Sequence, residues 1–361
     1  MRLLFCIMDK YFLKNNRMIS REGGMHLNTL LYALLHLLVD LVCAWSMFSF
    51  FTSGQYENIL IYNFCAFALQ MPFGTLLDLL GGKIRRSAFL FACSGVLLTV
   101  GGALSGPVLL GIGNALFHVG GGFDVIHEDL ANKRNGRNLG LFVAPGAIGL
   151  FLGKILGKGK SGTAVLFAAA TAMGLLLLIL SRLPEKRVPA AQSEREKTSV
   201  SLIISCFLVV VLRSWIGLST VYSWSSIPLW ATVAVFLTAF GKYCGGLLGA
   251  HFGIGRTALA TLTLAAIFYL FGDFPLLGTC AIFLFNMTMP LTLYLLVSQM
   301  PHLAGFSFGL LTFGLFLGFL PIYFGIRLPI PSSLSAALGS MISSLLLIFA
   351  GKAANIRAVH S

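Results

Sequence analysis

The feature that most constrains this chain is a series of apolar stretches, each about as long as the roughly 20 residues that a membrane-spanning helix requires. Twelve such stretches follow one another in the 361 residues, and the polar segments between them are short. Charged residues make up 10% of the chain, whereas a soluble domain has about 25%. The sequence therefore predicts an all-α integral membrane protein. The predicted helices lie at 27–51, 57–80, 87–104, 107–127, 138–157, 162–181, 199–219, 227–250, 257–272, 274–299, 303–325 and 332–351.

The positive charges predict the orientation of these helices. If the N-terminus is cytoplasmic, 19 of the 25 Lys and Arg residues lie on the cytoplasmic side and four on the opposite side. Cytoplasmic loops of membrane proteins carry such an excess. We therefore expect a multi-pass protein of the bacterial cytoplasmic membrane with both termini in the cytoplasm. The net charge of +13 does not indicate nucleic acid, because the basic residues lie in short loops between apolar stretches.

A long polar segment near the middle of the chain predicts its division into two parts. We expect an N-terminal six-helix half at 27–181, a cytoplasmic linker at 182–198 and a C-terminal six-helix half at 199–361. Residues 1–26 form a separate N-terminal segment. The run REGG at 21–24 is what a ribosome-binding site gives when it is translated, so we expect Met25 to be the true start.

A glycine-rich motif, GTLLDLLGGKIRR, closes the second helix at residues 74–86. Gly74 permits a close approach by another helix, and Asp78 faces either the positive end of a helix or the basic loop that follows. A weaker copy starts at Gly241, with Ala250 in the position of the acid. We expect a conformational latch formed by Gly74, Asp78, Lys83, Arg85, Arg86 and, from the second copy, Lys242.

The first motif resembles the GxxxD(R)xxG(R/K) motif of the major facilitator superfamily. The segments HLLVD, QMPFGTLLD, GNALFH, VLRSWIG and GKYCGGLLG resemble its fosmidomycin-resistance branch. LFVAPGAIG at 141–149 is similar to the antiporter motif of proton-coupled exporters, although Ala144 replaces a glycine. The resemblance implies a monomeric transporter with twelve helices in two halves. It also implies export of a drug or metabolite against proton entry, without a cofactor other than the proton gradient.

Asp40 lies within the apolar first helix, where an acid costs roughly 2.5–3.5 kcal/mol. It either forms a structural ion pair with Arg213 or Lys242, or carries a proton as its surroundings open alternately to each side. His36 lies one turn earlier on the same face, where it either donates a hydrogen bond to Asp40 or takes up a proton itself. We predict that Asp40 and His36 couple transport to protons.

Other polar residues inside the predicted helices are candidates for a substrate cavity. Arg213 would clamp an anionic group, whereas an acid in the cavity would favour a cation, so the charge of the substrate stays open. Asn286, Pro290 and Tyr294 recur every four residues and predict one polar face of the tenth helix. Gln70 contacts either the substrate or the kink at Pro72. The predicted cavity residues are Arg213, His118, Asn114, Gln70, Asn286 and Tyr294.

Competing functions depend on a few further residues. An acidic cluster near the end of the fourth helix either binds a metal or, as we expect, contacts the basic loop that follows, so no metal site is predicted. A close alternative to export is an importer or facilitator on the same fold. A distant one is a metal-dependent membrane enzyme. Glycine runs at 120–122 and 305–318 predict helix packing rather than a phosphate loop. The acidic cluster comprises Asp124, His127, Glu128 and Asp129.

Overall fold

The computed structural model describes residues 27–52, 56–81, 83–84, 86–159, 161–183, 199–326 and 328–358. The predicted N-terminal segment, linker residues 184–198 and the latch residue Arg85 lie outside these ranges. Within them, eleven helices are long and apolar enough to cross a membrane, and one apolar helix is shorter. The helices are α1 (Leu27–Phe51), α2 (Glu57–Leu80), α3 (Ser87–Ser105), α4 (Pro107–Ala131), α5 (Arg137–Lys158), α6 (Ala164–Arg182), α7 (Val200–Ser219), α8 (Pro228–Phe252), α9 (Ile254–Leu270), α10 (Pro275–Gln299), α11 (Pro301–Tyr323) and α12 (Ser332–Lys352).

All twelve predicted helices are present, most of them within a few residues of their predicted ends, so the predicted all-α class is confirmed. One shift has a clear backbone cause. Gly253 adopts φ +88°, a conformation that favours glycine, and it ends α8 at Phe252. The chain then enters α9 at once, at Ile254 rather than at the predicted residue 257.

Three of the helices are interrupted near their middle. In α2 the α-helical hydrogen bonding stops at Asn63, a π-helical turn spans Phe64–Ala68, and the α-helix resumes at Gln70. The α-helical hydrogen bonding of α5 stops at Val143 and resumes at Gly146, because Pro145 has no backbone N–H to donate. α10 is interrupted at Met287. An interruption leaves backbone carbonyls of the preceding turn free to accept hydrogen bonds from side chains.

Helix α5 lies directly against α1 along a row of glycines. A Cβ on Gly149 would collide with the Leu37 carbonyl oxygen, and one on Gly153 with the Leu41 carbonyl oxygen. Small residues of this kind let two membrane helices pack backbone to backbone. The row holds the middle of α1, where Asp40 lies, at a fixed distance from α5.

The first six helices meet the last six mainly along two helix pairs, α2 with α11 and α5 with α8. Gly74 of α2 lies against the backbone of Gly305. A Cβ built on Gly140 of α5 would lie 2.9 Å from Cα of Gly246, so these two helices also pack closely. Gly309 of α11 likewise contacts the backbone of Gln70. The prediction that the glycines of α11 form a packing surface is confirmed.

Asp78 closes one end of the α2–α11 contact, which we call the Asp78 end. Its carboxylate accepts hydrogen bonds from the backbone N–H groups of Gly305 at 2.8 Å and Phe306 at 2.7 Å. Both lie in the first α-helical turn of α11, which starts at Ala304 after a 3-10 turn. Of the two predicted partners for Asp78, the structure therefore shows the helix N-terminus. Arg86 donates to the carbonyls of Ser181 and Leu183 at the end of α6, and Lys83 is exposed.

Candidate functional site

Three ionisable side chains meet in the middle of the first six helices and form what we call the His–Asp cluster. His36 and Asp40 project from α1, and His118 projects from α4. His36 Nε2 lies 3.2 Å from Asp40 Oδ2 and 2.9 Å from His118 Nε2. His118 Nε2 lies 3.7 Å from Asp40 Oδ1. The structure thus joins His118, a predicted cavity residue, to the two residues predicted to carry protons.

Backbone carbonyls determine which ring nitrogen of each histidine carries a hydrogen. His36 Nδ1 lies 2.7 Å from the Phe142 carbonyl, and His118 Nδ1 lies 2.9 Å from the Asn114 carbonyl. A carbonyl only accepts, so each Nδ1 must donate, and each neutral ring then has a lone pair on Nε2. The two Nε2 atoms face one another and the carboxylate. These short contacts require at least one shared proton or another cation between them.

The interruption of α5 provides one of these carbonyls and also space beside the cluster. Phe142 precedes Pro145, and its carbonyl accepts the His36 N–H. Gly146 follows the interruption, and a Cβ built on it would collide with His36 Nε2 and lie 2.6 Å from Asp40 Oδ2. Helix α5 therefore orients one histidine and leaves the polar atoms room.

Asn114 completes the surroundings of the carboxylate. Its Nδ2 donates to Asp40 Oδ1 at 3.1 Å and lies 3.5 Å from Cys43 Sγ. Asp40 is 6% exposed. The alternative of a structural ion pair between Asp40 and Arg213 or Lys242 is not seen as a direct contact among the described residues. Among the described residues, the polar partners of the carboxylate are His36, His118 and Asn114.

The His–Asp cluster is also the group of described residues that could hold a metal ion, since its ligand atoms lie within 4.8 Å of one another. Two imidazoles and a carboxylate are common ligands of transition metals, and a second hydrogen bond on each ring is a usual feature of metal sites. A metal would occupy the same lone pairs as the shared proton. The two occupants therefore exclude each other.

The acidic residues at the end of α4 connect helices of the first half. Asp124 accepts from the Tyr32 hydroxyl at 2.7 Å, and Glu128 accepts from the Thr29 hydroxyl at 2.9 Å, so both join α4 to α1. Asp129 accepts the backbone N–H groups of residues 138 and 139 at the start of α5. These contacts give the acids a role in helix packing.

A second polar group lies among the last six helices. Arg213 of α7 donates through Nη2 to Asn286 Oδ1 of α10 at 2.9 Å, and Asn286 Nδ2 donates to the Ile282 carbonyl at 2.8 Å. Lys242 of α8 lies within electrostatic range of both Arg213 and Asp40. Lys242 was predicted as a latch residue, and it interacts electrostatically with a member of each polar group.

Two predicted cavity residues have other partners. Gln70 donates to the Ala66 carbonyl of its own helix at 2.6 Å, as a residue that caps a kink does. Tyr294 donates to Asn135 Oδ1 at 3.2 Å, in the loop between α4 and α5. Tyr294 follows Asn286 by eight residues, which is about 12 Å along a helix, so the two occupy different depths. Its contact belongs to the Asp78 end rather than to the polar group around Arg213.

Solved structures of the same architecture match nearly the whole chain. A variant of the E. coli fucose:proton symporter FucP aligns with a TM-score of 0.61 at 15% identity, over 89% of this chain and 96% of that one. A major facilitator superfamily transporter, FucP in the outward conformation, gives 0.64 at 13%, over 90% and 98%. A bacterial homologue of the iron transporter ferroportin, outward-facing, gives 0.58 at 13%, over 91% and 98%.

No protein-family model and no curated protein sequence matches the chain. At 13–15% identity the structural similarity establishes the fold alone. The fold is the twelve-helix fold of the major facilitator transporters, as the sequence predicts.

Proposed function

We propose that this chain is a secondary transporter of the major facilitator superfamily that couples the movement of a small molecule to that of protons by alternating access. The fold and its apolar helices support the superfamily and a position in a lipid bilayer. The excess of Lys and Arg in the predicted cytoplasmic loops supports a position in a bacterial cytoplasmic membrane, with both termini in the cytoplasm. Two six-helix halves and a monomer that needs no cofactor are part of the proposal.

The observation that carries the proposal is the His–Asp cluster. Its contacts require a shared cation, and it is almost fully shielded from water. A proton held between Asp40 and the two Nε2 atoms leaves only when water reaches the cluster from one side. A protein that opens alternately to each side would load the proton on one side and release it on the other.

The contacts at the Asp78 end supply the conformational part of the mechanism. Two N–H bonds to Asp78 and the glycine contacts between α2 and α11 close this end. Such short-range contacts break as a unit when two rigid bodies rock apart. Opening at the Asp78 end is therefore the step that would expose the cluster to the cytoplasm.

Two directions of coupling follow from different features. The antiporter-like segment 141–149 and the resemblance to an efflux branch favour export in exchange for protons. The cations Arg213 and Lys242 opposite the cluster favour the alternative, import or facilitated movement, because a bound proton and an anion attract each other. The sequence makes export by antiport the first hypothesis, the charges favour the alternative, and the experiment below decides the direction.

The test uses inverted membrane vesicles with an acidic lumen and a fluorescent reporter of lumenal pH. A panel of drugs and metabolites is added outside, or loaded inside, for the wild type and for Asp40→Asn. Glu57→Gln is the matched control, because Glu57 is an exposed acid at the far end of α2. Each assay is repeated with a metal chelator, so that a metal ion carried by the cluster is recognised by loss of the signal.

Antiport predicts that a compound added outside dissipates the gradient in the wild type and in Glu57→Gln but not in Asp40→Asn. Symport predicts the same pattern for a compound loaded in the lumen. If a compound crosses equally fast in the wild type and Asp40→Asn and moves no protons in either, proton coupling is refuted and the protein is a facilitator.

A further inference from the structure

The last six helices contain two cations at membrane depth and no acid beside them. Arg213 is the fourteenth residue of α7, and Lys242 lies in the central part of α8. The only Asp or Glu after residue 199 is Asp273, an exposed residue between α9 and α10. Charged side chains inside a membrane are nearly always paired. The last six helices provide no carboxylate to pair these two.

The contacts of the two cations leave most of their hydrogen-bonding capacity unused. Among the described residues, Arg213 makes one hydrogen bond, to the neutral amide of Asn286, and its Nε is buried without an acceptor. Arg213 also interacts electrostatically with the phenol of Tyr269 and with Lys242, neither of which is an acid that neutralises it at neutral pH. Lys242 makes no hydrogen bond through its ammonium within the described part of the chain. Five N–H donors on a guanidinium and three on an ammonium are thus nearly all free.

Asp40 does not neutralise this pair. Its two oxygens already face His36, His118 and Asn114. Its electrostatic influence extends to Lys242, but no direct ion pair forms. Taken together, Arg213, Lys242 and Asp40 carry a net positive charge, and protonation of a histidine makes it more positive. An uncompensated buried charge is costly unless a partner arrives from outside.

We infer that Arg213, Lys242 and Asn286 form the binding site for an anionic group on the transported molecule. A phosphonate, phosphate or carboxylate offers the oxygens that a guanidinium binds in bidentate fashion, and the ammonium adds a point charge. The three residues share one level, because Gly241, beside Lys242, packs against Asn286. The inference rests on the proposed transport function, because it names the class of molecule carried.

The same charges argue against a metal ion as the transported substrate. A divalent cation in the His–Asp cluster would lie within electrostatic range of Lys242, as Asp40 and His118 already do. The positive charges of the metal ion and the Lys242 ammonium would repel each other. An anion bound by the last six helices is attracted by both cations.

The test is a binding measurement on the purified full-length protein in lipid nanodiscs, without a gradient. Three probes share a benzyl group and differ in charge: benzylphosphonate, benzyl alcohol and benzyltrimethylammonium. Inorganic phosphate is a fourth probe. The variants are Arg213→Gln and Lys242→Gln, with Arg256→Gln as the matched control, since Arg256 is an exposed cation of the same half.

We expect benzylphosphonate to bind the wild type more tightly than the neutral and cationic probes do. Arg213→Gln and Lys242→Gln should each weaken it about tenfold or more, as loss of a charge-assisted bond does, and Arg256→Gln should leave it unchanged. Equal binding of the three benzyl probes overturns the inference, as does unchanged binding in Arg213→Gln. The inference is also overturned if the wild type binds neither benzylphosphonate nor phosphate at concentrations up to about 10 mM, a range that detects even millimolar affinity.

Thermal unfolding without a probe separates this site from a structural role. Removing an unpaired charge at membrane depth should leave the unfolding temperature of Arg213→Gln and Lys242→Gln unchanged or raised. A large fall in both variants would show that the cations hold the fold together, and would also overturn the inference. Anion binding without proton movement in vesicles would refute the coupling and leave this site standing, so the two proposals fail separately.

Discussion

Gly146 is the residue whose lack of a side chain most directly shapes the His–Asp cluster. A Cβ at this position would collide with His36 Nε2 and crowd Asp40 Oδ2, both of which are buried and held by other bonds. We therefore expect Gly146→Ala to displace the histidine and reduce proton-coupled transport about tenfold or more. Forced overpacking costs about 1–3 kcal/mol, and 1.4 kcal/mol is a factor of ten. The measurement is the vesicle assay with the compound identified there.

Gly174→Ala is the matched control for this change. Gly174 is exposed on α6, and a Cβ there meets nothing within 4 Å. Transport by Gly174→Ala should equal that of the wild type. If Gly146→Ala also transports normally while folding normally, the cluster does not need its present geometry, and its role in coupling is in doubt.

The sequence identified the acid of the cluster but not the way in which it is held. Asp40 and His36 stand out because polar residues are rare in an apolar stretch, and their spacing places them on one face. The place of His118 beside them depends on how α4 packs against α1, which no local pattern contains. The Phe142 carbonyl is a backbone group, so composition cannot reveal it. Pro145 was the available signal, because a proline inside a helix frees carbonyls one turn earlier.

Among the contacts between helices, the one between α2 and α11 can be weakened by exchanging one oxygen atom of Asp78 for a nitrogen atom. Asp78 binds two N–H groups at the start of α11, and hydrogen bonds to a charged group contribute about 1.5–3 kcal/mol. Asp78→Asn keeps the shape but loses the charge and one acceptor oxygen. We expect the Asp78 end to open more often.

Alkylation of a cysteine placed at Ser307 measures this opening. Ser307 is the fourth residue of the α-helical part of α11 and is 0% exposed, so a reagent reaches it only when the end opens. In a background with the native cysteines replaced, Asp78→Asn should raise the labelling rate about tenfold. Glu57→Gln, at the exposed far end of α2, should not change it. An unchanged rate in Asp78→Asn would show that the glycine contacts alone keep this end closed.

The helices themselves could be predicted because bilayer thickness sets their length, and an apolar stretch of that length has few alternatives. The contacts between helices were predicted less completely. The glycines of α11 were correctly expected to pack, but their partners on α2 became known only from the structure. The assumed single face of α10 is interrupted at Met287, and Tyr294 meets the loop at Asn135 instead. Periodicity describes a helix face, but neither its depth nor its partner.

Across the whole molecule, the charges at membrane depth are divided between the two groups of six helices. The first group contributes Asp40 and two histidines, and the second contributes Arg213 and Lys242. Lys242 lies within electrostatic range of both groups. The negative charge of Asp40 partly offsets the positive potential around Lys242. When Asp40 loses its charge, by protonation or by substitution, Lys242 attracts an anion more strongly. The division therefore predicts that a proton and an anion strengthen each other's binding.

This linkage has a measurable sign in a double-mutant cycle. Asp40→Asn imitates the protonated acid and should tighten benzylphosphonate binding severalfold, because the Lys242 ammonium is then no longer attracted by the Asp40 carboxylate and can meet the anion. In a Lys242→Met background the same change should have a much smaller effect, because Asp40 acts on the anion mainly through Lys242. Tighter binding in Asp40→Asn means that proton and anion favour occupancy together, which supports movement in the same direction. Weaker binding in Asp40→Asn means that the two compete, which contradicts the predicted linkage and is the behaviour that exchange requires.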